Sequence, residues 1–289
     1  MAVEAPTRLR VVRHASLHDR WEFVFGSPDP RLRPYVVHYC GYDEETATFR
    51  RRIEAPAPRA PLIFNFGPSI RVRAGATGNW QRHADGFVAG LDGTYAVVES
   101  SGSQSGVEVY LTPVGAGLVT GVPMRHLKGK VVSLDELFGR LGGLVLEELL
   151  EAPGWQERFA IVDRFLLARL SEAEPPPASL TWALSRLHAT RGAVEIGALT
   201  EELACSRRYL IGLFNDSVGL PPKLFARILR FQHALELADG GGIGWAEIAQ
   251  RCGYYDQAHM VNDFQQFTGR APTTYTALKL PDGGGVIGD

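Results

Sequence analysis

The chain has 289 residues, of which 45% are hydrophobic and 21% charged, and its formal net charge at pH 7 is −2. That length can hold two domains with their own cores, and the composition is that of a globular protein. The near-zero charge excludes a generic binder of polyanions. No apolar run is long enough to cross a bilayer, and Glu4, Arg8, Arg10, Arg13 and His14 interrupt any signal-peptide core. A cytoplasmic protein with no membrane partner is expected. Cys40, Cys205 and Cys252 lie far apart without metal-ligand spacing and read as free thiols. A redox switch at Cys205 or Cys252 is the lesser alternative.

From about Trp21 to Thr112 the chain is a series of short runs rich in β-formers, with Gly, Pro, Asn and Asp between them. They include Tyr35–Tyr39, Phe49–Ile53, Leu62–Phe66, Ile70–Arg73, Phe87–Leu91, Tyr95–Val98 and Val107–Leu111. So many closely spaced strands predict a small sandwich or barrel, with a cupin-like barrel as the first expectation. Phe64, Phe66, Tyr95 and Tyr110, with Arg50, Arg52 and Glu108, either line its interior or follow ordinary core-and-surface alternation. His14, His18, His38, His83 and His126 are scattered, with no His pair alternating on one strand as a cupin metal site needs. There is no nucleophile elbow and no phosphate-binding Gly loop, Gly102 and Gly106 marking a flexible hairpin loop at best. Neither an enzyme nor a cofactor is expected.

Helical periodicity follows. Pro113–Val119 reads as a short helix, and Val131–Leu137 opens a longer one with Ser133 as its cap. Leu144, Leu146, Leu149 and Leu150 belong to that helix, and Trp155, Phe159, Val162, Leu166 and Leu170 form the apolar stripe of the next. The pair reads as a hairpin at about 131–171, closing an N-terminal domain of residues 1–171. Its apolar faces serve as core or as a dimer seam. Pro175–Pro177 cannot continue a helix, so 172–178 reads as a semi-rigid linker. Residues 278–289, rich in Gly, read as a disordered tail.

Between them, residues 179–277 carry two helix-turn-helix units. The first runs Ile196–Leu203, a turn at Ala204–Cys205, then Arg207–Phe214. The second runs Trp245–Cys252, a turn at Gly253–Tyr255, then Gln257–Phe264. Thr200 and Ala249 are small where the second helix crosses the first, Ala204 and Gly253 relieve the turns, and Ser206 and Asp256 cap the second helices. Pro222–Leu237 reads as one connecting helix, with Leu224, Ile228, Phe231 and Leu235 on its stripe. Arg230 is expected to serve as a structural partner for acids of the adjoining units.

With the trailing Phe264–Tyr275 segment, these residues make the last third of the chain resemble the AraC-type family of bacterial transcription regulators. More weakly, Pro34–Val36, Gly90–Glu99, Gly106–Ala116 and Gly121–Met124 resemble the sensor-like domain of an actinobacterial subset of that family. The whole is then an α+β multidomain protein, a cupin-like β-rich domain with a helical hairpin followed by an all-α tandem helix-turn-helix domain. The resemblance implies double-stranded DNA as partner, with each second helix in a major groove and the connector holding the pair one turn of DNA apart. It also implies a homodimer, with a small-molecule effector and RNA polymerase as further candidate partners. An effector-independent dimeric regulator and a cupin-like enzyme fused to a DNA-binding domain are the alternatives.

The candidate DNA-binding residues follow from the faces left after the core positions are assigned. In the first unit they are Ser206, Arg207, Arg208, Ile211, Gly212 and Asn215, with Leu210, Leu213 and Phe214 inward. Arginine at a helix start reaches guanine or clamps a phosphate. Ile211 and Gly212 stand where the family usually has polar groups. In the second unit they are Asp256, Gln257, Ala258, Val261 and Asn262, with Met260, Phe264 and Phe267 inward. The family often has arginine where Asn262 stands. His259 is expected to pack or cap rather than to read bases. Beyond Ser179 charges nearly balance, so basic groups must face phosphates while acids are turned away.

Overall fold

The structure, a computed structural model, describes residues 9–17, 19–46, 50–279 and 286–288. Two antiparallel sheets form from the β-rich half. The larger contains β1 (Arg10–Ala15), β2 (Asp19–Gly26), β3 (Val36–Thr46), β5 (Ala60–Asn65), β8 (Gly86–Ala89), β10 (Ser103–Leu111) and β11 (Val131–Ser133), in the order β1-β2-β3-β10-β5-β8-β11. The smaller contains β4 (Arg50–Glu54), β6 (Ile70–Ala74), β7 (Gln81–His83), β9 (Ala96–Ser100) and β12 (Val286–Ile287), in the order β12-β4-β9-β6-β7. This is the β-rich, cupin-like arrangement expected.

Period-two alternation divides β10 between two environments. Val107, Val109 and Leu111 are fully buried in the main core, which is covered by α5 (Trp155–Ser171). The Phe165 ring meets Phe64 edge-on at 6.0 Å, and Phe159 packs on Tyr39 at 5.4 Å. The helix lies so close that a Cβ on Gly41 would stand 2.4 Å from the Trp155 ring, and one on Gly26 2.5 Å from Phe159. The opposite face of β10 turns toward the small sheet. There Tyr110 packs on His38 at 4.4 Å under the Arg59 guanidinium, and Arg52 pairs with Glu44 at 2.5 Å, both buried. Of the suggested interior residues, Arg52, Glu108 and Tyr110 therefore lie between the sheets. Phe64 and Phe66 lie beneath α5, with Arg158 over the Phe66 ring. The Arg50 side chain is outside the described residues.

Helices α1 (Pro113–Thr120) and α2 (Met124–Leu127) follow the strands. Val131–Ser133, expected to open a helix, instead extends the large sheet against Phe87–Ala89. The helix begins one residue after Ser133, which does cap it in a reciprocal capping box with Glu136. Gly139, at φ +52°, then separates α3 (Leu134–Phe138) from α4 (Arg140–Glu151). The expected tail of 278–289 is corrected as well. Val286 is fully buried and pairs with Ile53, and the Gly288 N–H donates to the Arg51 carbonyl at 2.9 Å. Backbone pairing at the free edge of β4 outweighs the Gly-rich composition that suggested disorder. Residues 280–285 and 289 lie outside the described residues.

After Pro175–Pro177 the chain continues through α6 (Ala178–Ala189), α7 (Ile196–Glu202), α8 (Arg207–Val218), α9 (Pro222–Gly240), α10 (Trp245–Arg251), α11 (Gln257–Thr268) and α12 (Pro272–Ala277). The two halves are not merely strung on a spacer, since one buried core runs through both. Helices α1 and α2 pack on α8, and Arg125 pairs with Asp216 at 2.6 Å. Gln232 Nε2 donates to the Pro56 carbonyl at 2.7 Å, and Gln266 Nε2 to that of Gly93 at 3.1 Å. No helix among the described residues is long and apolar enough to cross a membrane.

Candidate nucleic-acid interface

Each second helix of the two units begins at a side-chain cap. The Tyr209 N–H donates to Ser206 Oγ at 3.1 Å, and the His259 N–H to Asp256 Oδ1 at 2.7 Å. The turns that precede them demand left-handed backbone, Ala204 at φ +48° and Gly253 at φ +72°. Ala204 pays for that geometry in strain, which Gly253 avoids. Between the units α9 runs 19 residues, about 28 Å at 1.5 Å per residue. It is more deeply embedded than a single stripe, with Phe225 and Leu229 buried beside Ile228 and Phe231, while Leu224 and Leu235 are only half-buried.

On α8, Leu210 and Phe214 are fully buried and Leu213 half-buried. Ser206, Arg207, Arg208, Ile211 and Gly212 are exposed, and Asn215 is half-buried at the edge of that face. A Cβ on Gly212 would meet open space. On α11, Met260, Phe264 and Phe267 are buried, Gln257, Ala258 and Asn262 are exposed, and Val261 is half-buried. The His259 ring stands edge-on to Tyr254 at 5.3 Å, a packing contact. Exposed Tyr209 and Tyr255 flank the two faces and were not singled out from sequence, because an aromatic at a helix start or turn reads as packing.

The near-neutral charge is resolved by pairing. Arg186 holds Glu202, Arg227 holds Asp263, Arg251 holds Glu247, and Arg191 lies beside Glu236 and His233. Lys279 pairs with Asp239. No described residue bonds the side chains of Arg207, Arg208 or Lys223. Arg230, expected to meet acids, instead reaches the Gly253 carbonyl at 3.5 Å and lies over the Tyr254 ring. Most of the cations of this half are thus engaged with its acids, while the two arginines at the start of α8 stay open. Cys252 is buried, and burial pushes its thiol up to about 11, which removes the thiolate a redox switch there would need.

Residues 199–277 match a family described as a helix-turn-helix domain, covering both units. The last third of the chain is thus the helix-turn-helix domain of a DNA-binding regulator. Its residues 26–133 match a second family, described as a domain of unknown function, DUF6597. No curated protein sequence matches this regulator. Among solved structures it is similar to an apo form of ToxT from Vibrio cholerae, at 13% identity and TM-score 0.46, over 82% of this chain and 96% of that one. It is similar also to ToxT bound to an unsaturated fatty acid, at 11% identity and TM-score 0.45, over 78% and 93%. The AraC-like transcriptional activator CuxR matches at 14% identity and TM-score 0.35, over 82% and 88%.

Proposed function

We propose that this regulator acts in the bacterial cytoplasm and reads two successive major-groove segments, with the first unit dominant. The supporting observation is the open pair Arg207 and Arg208 at the capped start of α8. Arg208 contacts guanine, Arg207 a phosphate, and Ile211 a thymine methyl, with Asn215 at the edge of the contact. Gln257, Ala258, Val261 and Asn262 make the weaker second contact. In this reading the N-terminal domain ends near Ser171 and the DNA-binding domain occupies about 179–277. The test is selection of duplexes from a random pool by the full chain. Two conserved segments about one helical turn apart are expected, and absence of any enriched sequence refutes the reading.

The N-terminal half is read as both the dimerising and the effector-binding part. Helix α4 leaves Leu141, Leu144 and Leu150 exposed, at 43%, 44% and 52%, which favours a second copy on that face. A cavity of about 300 Å³ lies where the small sheet meets the end of α11, lined by Arg51, Arg73, Tyr95, Val97 and Arg270. Its cationic wall over an apolar floor suits a small acidic effector. Thermal-shift screening of the full chain against organic acids tests this, with Arg270→Ala expected to abolish the shift. A panel without any stabilising acid would leave a scaffold without a sensor.

A further inference from the structure

Arg208, Gly212 and Asp216 are spaced four apart on α8 and so share one stripe of its surface. Asp216 therefore lies on the prolongation of the proposed base-reading face, about 12 Å along the axis from Arg208. A bare carboxylate there would repel the DNA backbone. It is not bare, because Arg125 of α2 holds it at 2.6 Å from outside the helix-turn-helix domain. Arg125 begins a short cationic segment, with His126, Lys128 and Lys130 all exposed. The loop carrying both lysines is fixed. Gly129, at φ +62°, sits against Asp92, and the Gly90 N–H donates to the Lys130 carbonyl at 2.9 Å. Gly93, next to Asp92, abuts Leu224 at the start of α9, where exposed Lys223 adds a further cation. Asp92 is the acid that faces this loop, and its Oδ1 accepts from the Gly93 N–H at 2.6 Å.

We propose that the N-terminal domain contributes directly to the DNA interface, its Arg125–Lys130 segment gripping backbone phosphates beside the groove entered by α8. Arg125 neutralises Asp216, and Lys128 and Lys130, with Lys223, take the phosphates. The sensor half then adds non-specific affinity that the nearly neutral helix-turn-helix half lacks, and DNA affinity depends on how the two halves are docked. This inference rests on the assignment of α8 to a major groove.

The experiment measures binding of the full chain to a fluorescent 40-base-pair duplex of random sequence, and to a selected duplex, across a salt series. Each phosphate contact contributes a slope of about 0.9 in log K against log salt. Lys128→Ala with Lys130→Ala should make the slope shallower by about 2 and weaken both duplexes about tenfold or more at low salt. Lys128→Arg with Lys130→Arg should retain slope and affinity. Arg125→Ala should also weaken binding, since it uncovers Asp216. Arg207→Ala with Arg208→Ala reports on the assignment of α8 independently. If that pair abolishes selectivity while the lysine pair leaves affinity and slope unchanged, the proposal is overturned and the α8 assignment stands. If Arg125→Ala tightens binding, the segment restrains the DNA-binding half and the proposal is again overturned. If neither pair alters binding, the α8 assignment fails and the proposal with it. Both lysines are exposed, so unchanged thermal melting checks that these variants fold.

Discussion

Arg227 on the connector and Asp263 on α11 are joined by two hydrogen bonds to one oxygen, Nη2–Oδ1 at 2.5 Å and Nε–Oδ1 at 3.1 Å. Asp263 is 1% exposed, whereas the guanidinium keeps 24% of its side chain in solvent. Arg227 also donates to Gln266 Oε1 at 2.7 Å, and Gln266 reaches across to Gly93 of the β-rich half. The ion pair thus fixes the second unit on the connector, and Gln266, held by the same guanidinium, links it to the β-rich half.

Removing the cation strands a buried carboxylate. Arg227→Met is expected to destabilise the chain by about 3 kcal/mol, read by urea denaturation. Arg227→Met combined with Asp263→Leu should recover much of that loss, because no uncompensated charge remains. Equal losses in the single and double variants would show that the pair does not set the stability.

The weight of recognition is expected to lie on the first unit. Charge-assisted hydrogen bonds are about twice as strong as neutral ones. Arg208→Ala should cost selected DNA about 1–3 kcal/mol more than random DNA. Arg207→Ala should weaken both and flatten the salt dependence. Gln257→Ala with Asn262→Ala should harm selected binding less than the arginine pair. A larger effect of the second-unit pair, measured by fluorescence anisotropy, would transfer the main readout to Asn262.

Two titrating groups between the sheets act in opposite directions. Burial pushes the Glu108 carboxyl up to about 7, with Glu54 adding to the rise and Tyr110, Arg59 and Arg52 opposing it. Burial, then Arg59 and Arg10, depress His38 to about 4. Unfolded Glu ionises near 4.5 and unfolded His near 6.5. From pH 4.5 to 7 the folded state holds the Glu108 proton that the unfolded chain has lost, so this group makes stability fall as pH rises. From pH 4 to 6.5 the unfolded chain holds the His38 proton, so that group makes stability rise. The two slopes, each at most about 1.4 kcal/mol per pH unit, nearly cancel up to pH 6.5. Glu108→Gln should therefore unmask stability that climbs through that window, and His38→Phe stability that declines to pH 7. Unfolding midpoints of both variants that move in parallel with the parent across pH 4.5–7 would contradict this.

Two glycines, one inside α8 and one capping it, should respond oppositely to alanine. Gly212 lies in the helix interior facing open space, so Gly212→Ala should stabilise by about 1 kcal/mol. Gly219 caps the helix at φ +82°, and its Cβ would stand 2.9 Å from the Met124 carbonyl oxygen. Gly219→Ala should cost about 1–3 kcal/mol and loosen the docking of α2, visible as faster amide exchange in α2. A stabilising Gly219→Ala would contradict this geometry.

The helix-turn-helix units are legible because their signals are local. Ser206 and Asp256 cap helices that start at the next residue, and the buried faces follow at three- and four-residue spacing. The β-rich half is legible for the same reason, strand by strand. What escapes is set by distant partners. Val131–Ser133 is β-prone, but three residues directly before a helix cap are too few to announce a strand, and only the pairing with Phe87–Ala89 establishes it. Phe64 and Tyr110 look alike in their strands, yet only the helix above one and the sheet opposite the other assign their sides. Arg125 and Asp216 are 91 positions apart, and nothing near either announces the other.

The return of Val286–Ile287 to the edge of β4 ties the C-terminal end of the helix-turn-helix half to the small sheet. That tie shares no residue with the capped helices α8 and α11. A chain shortened before Val286 therefore keeps every residue proposed to touch DNA. Any change in its DNA affinity would report on how the halves are joined rather than on the contacts themselves.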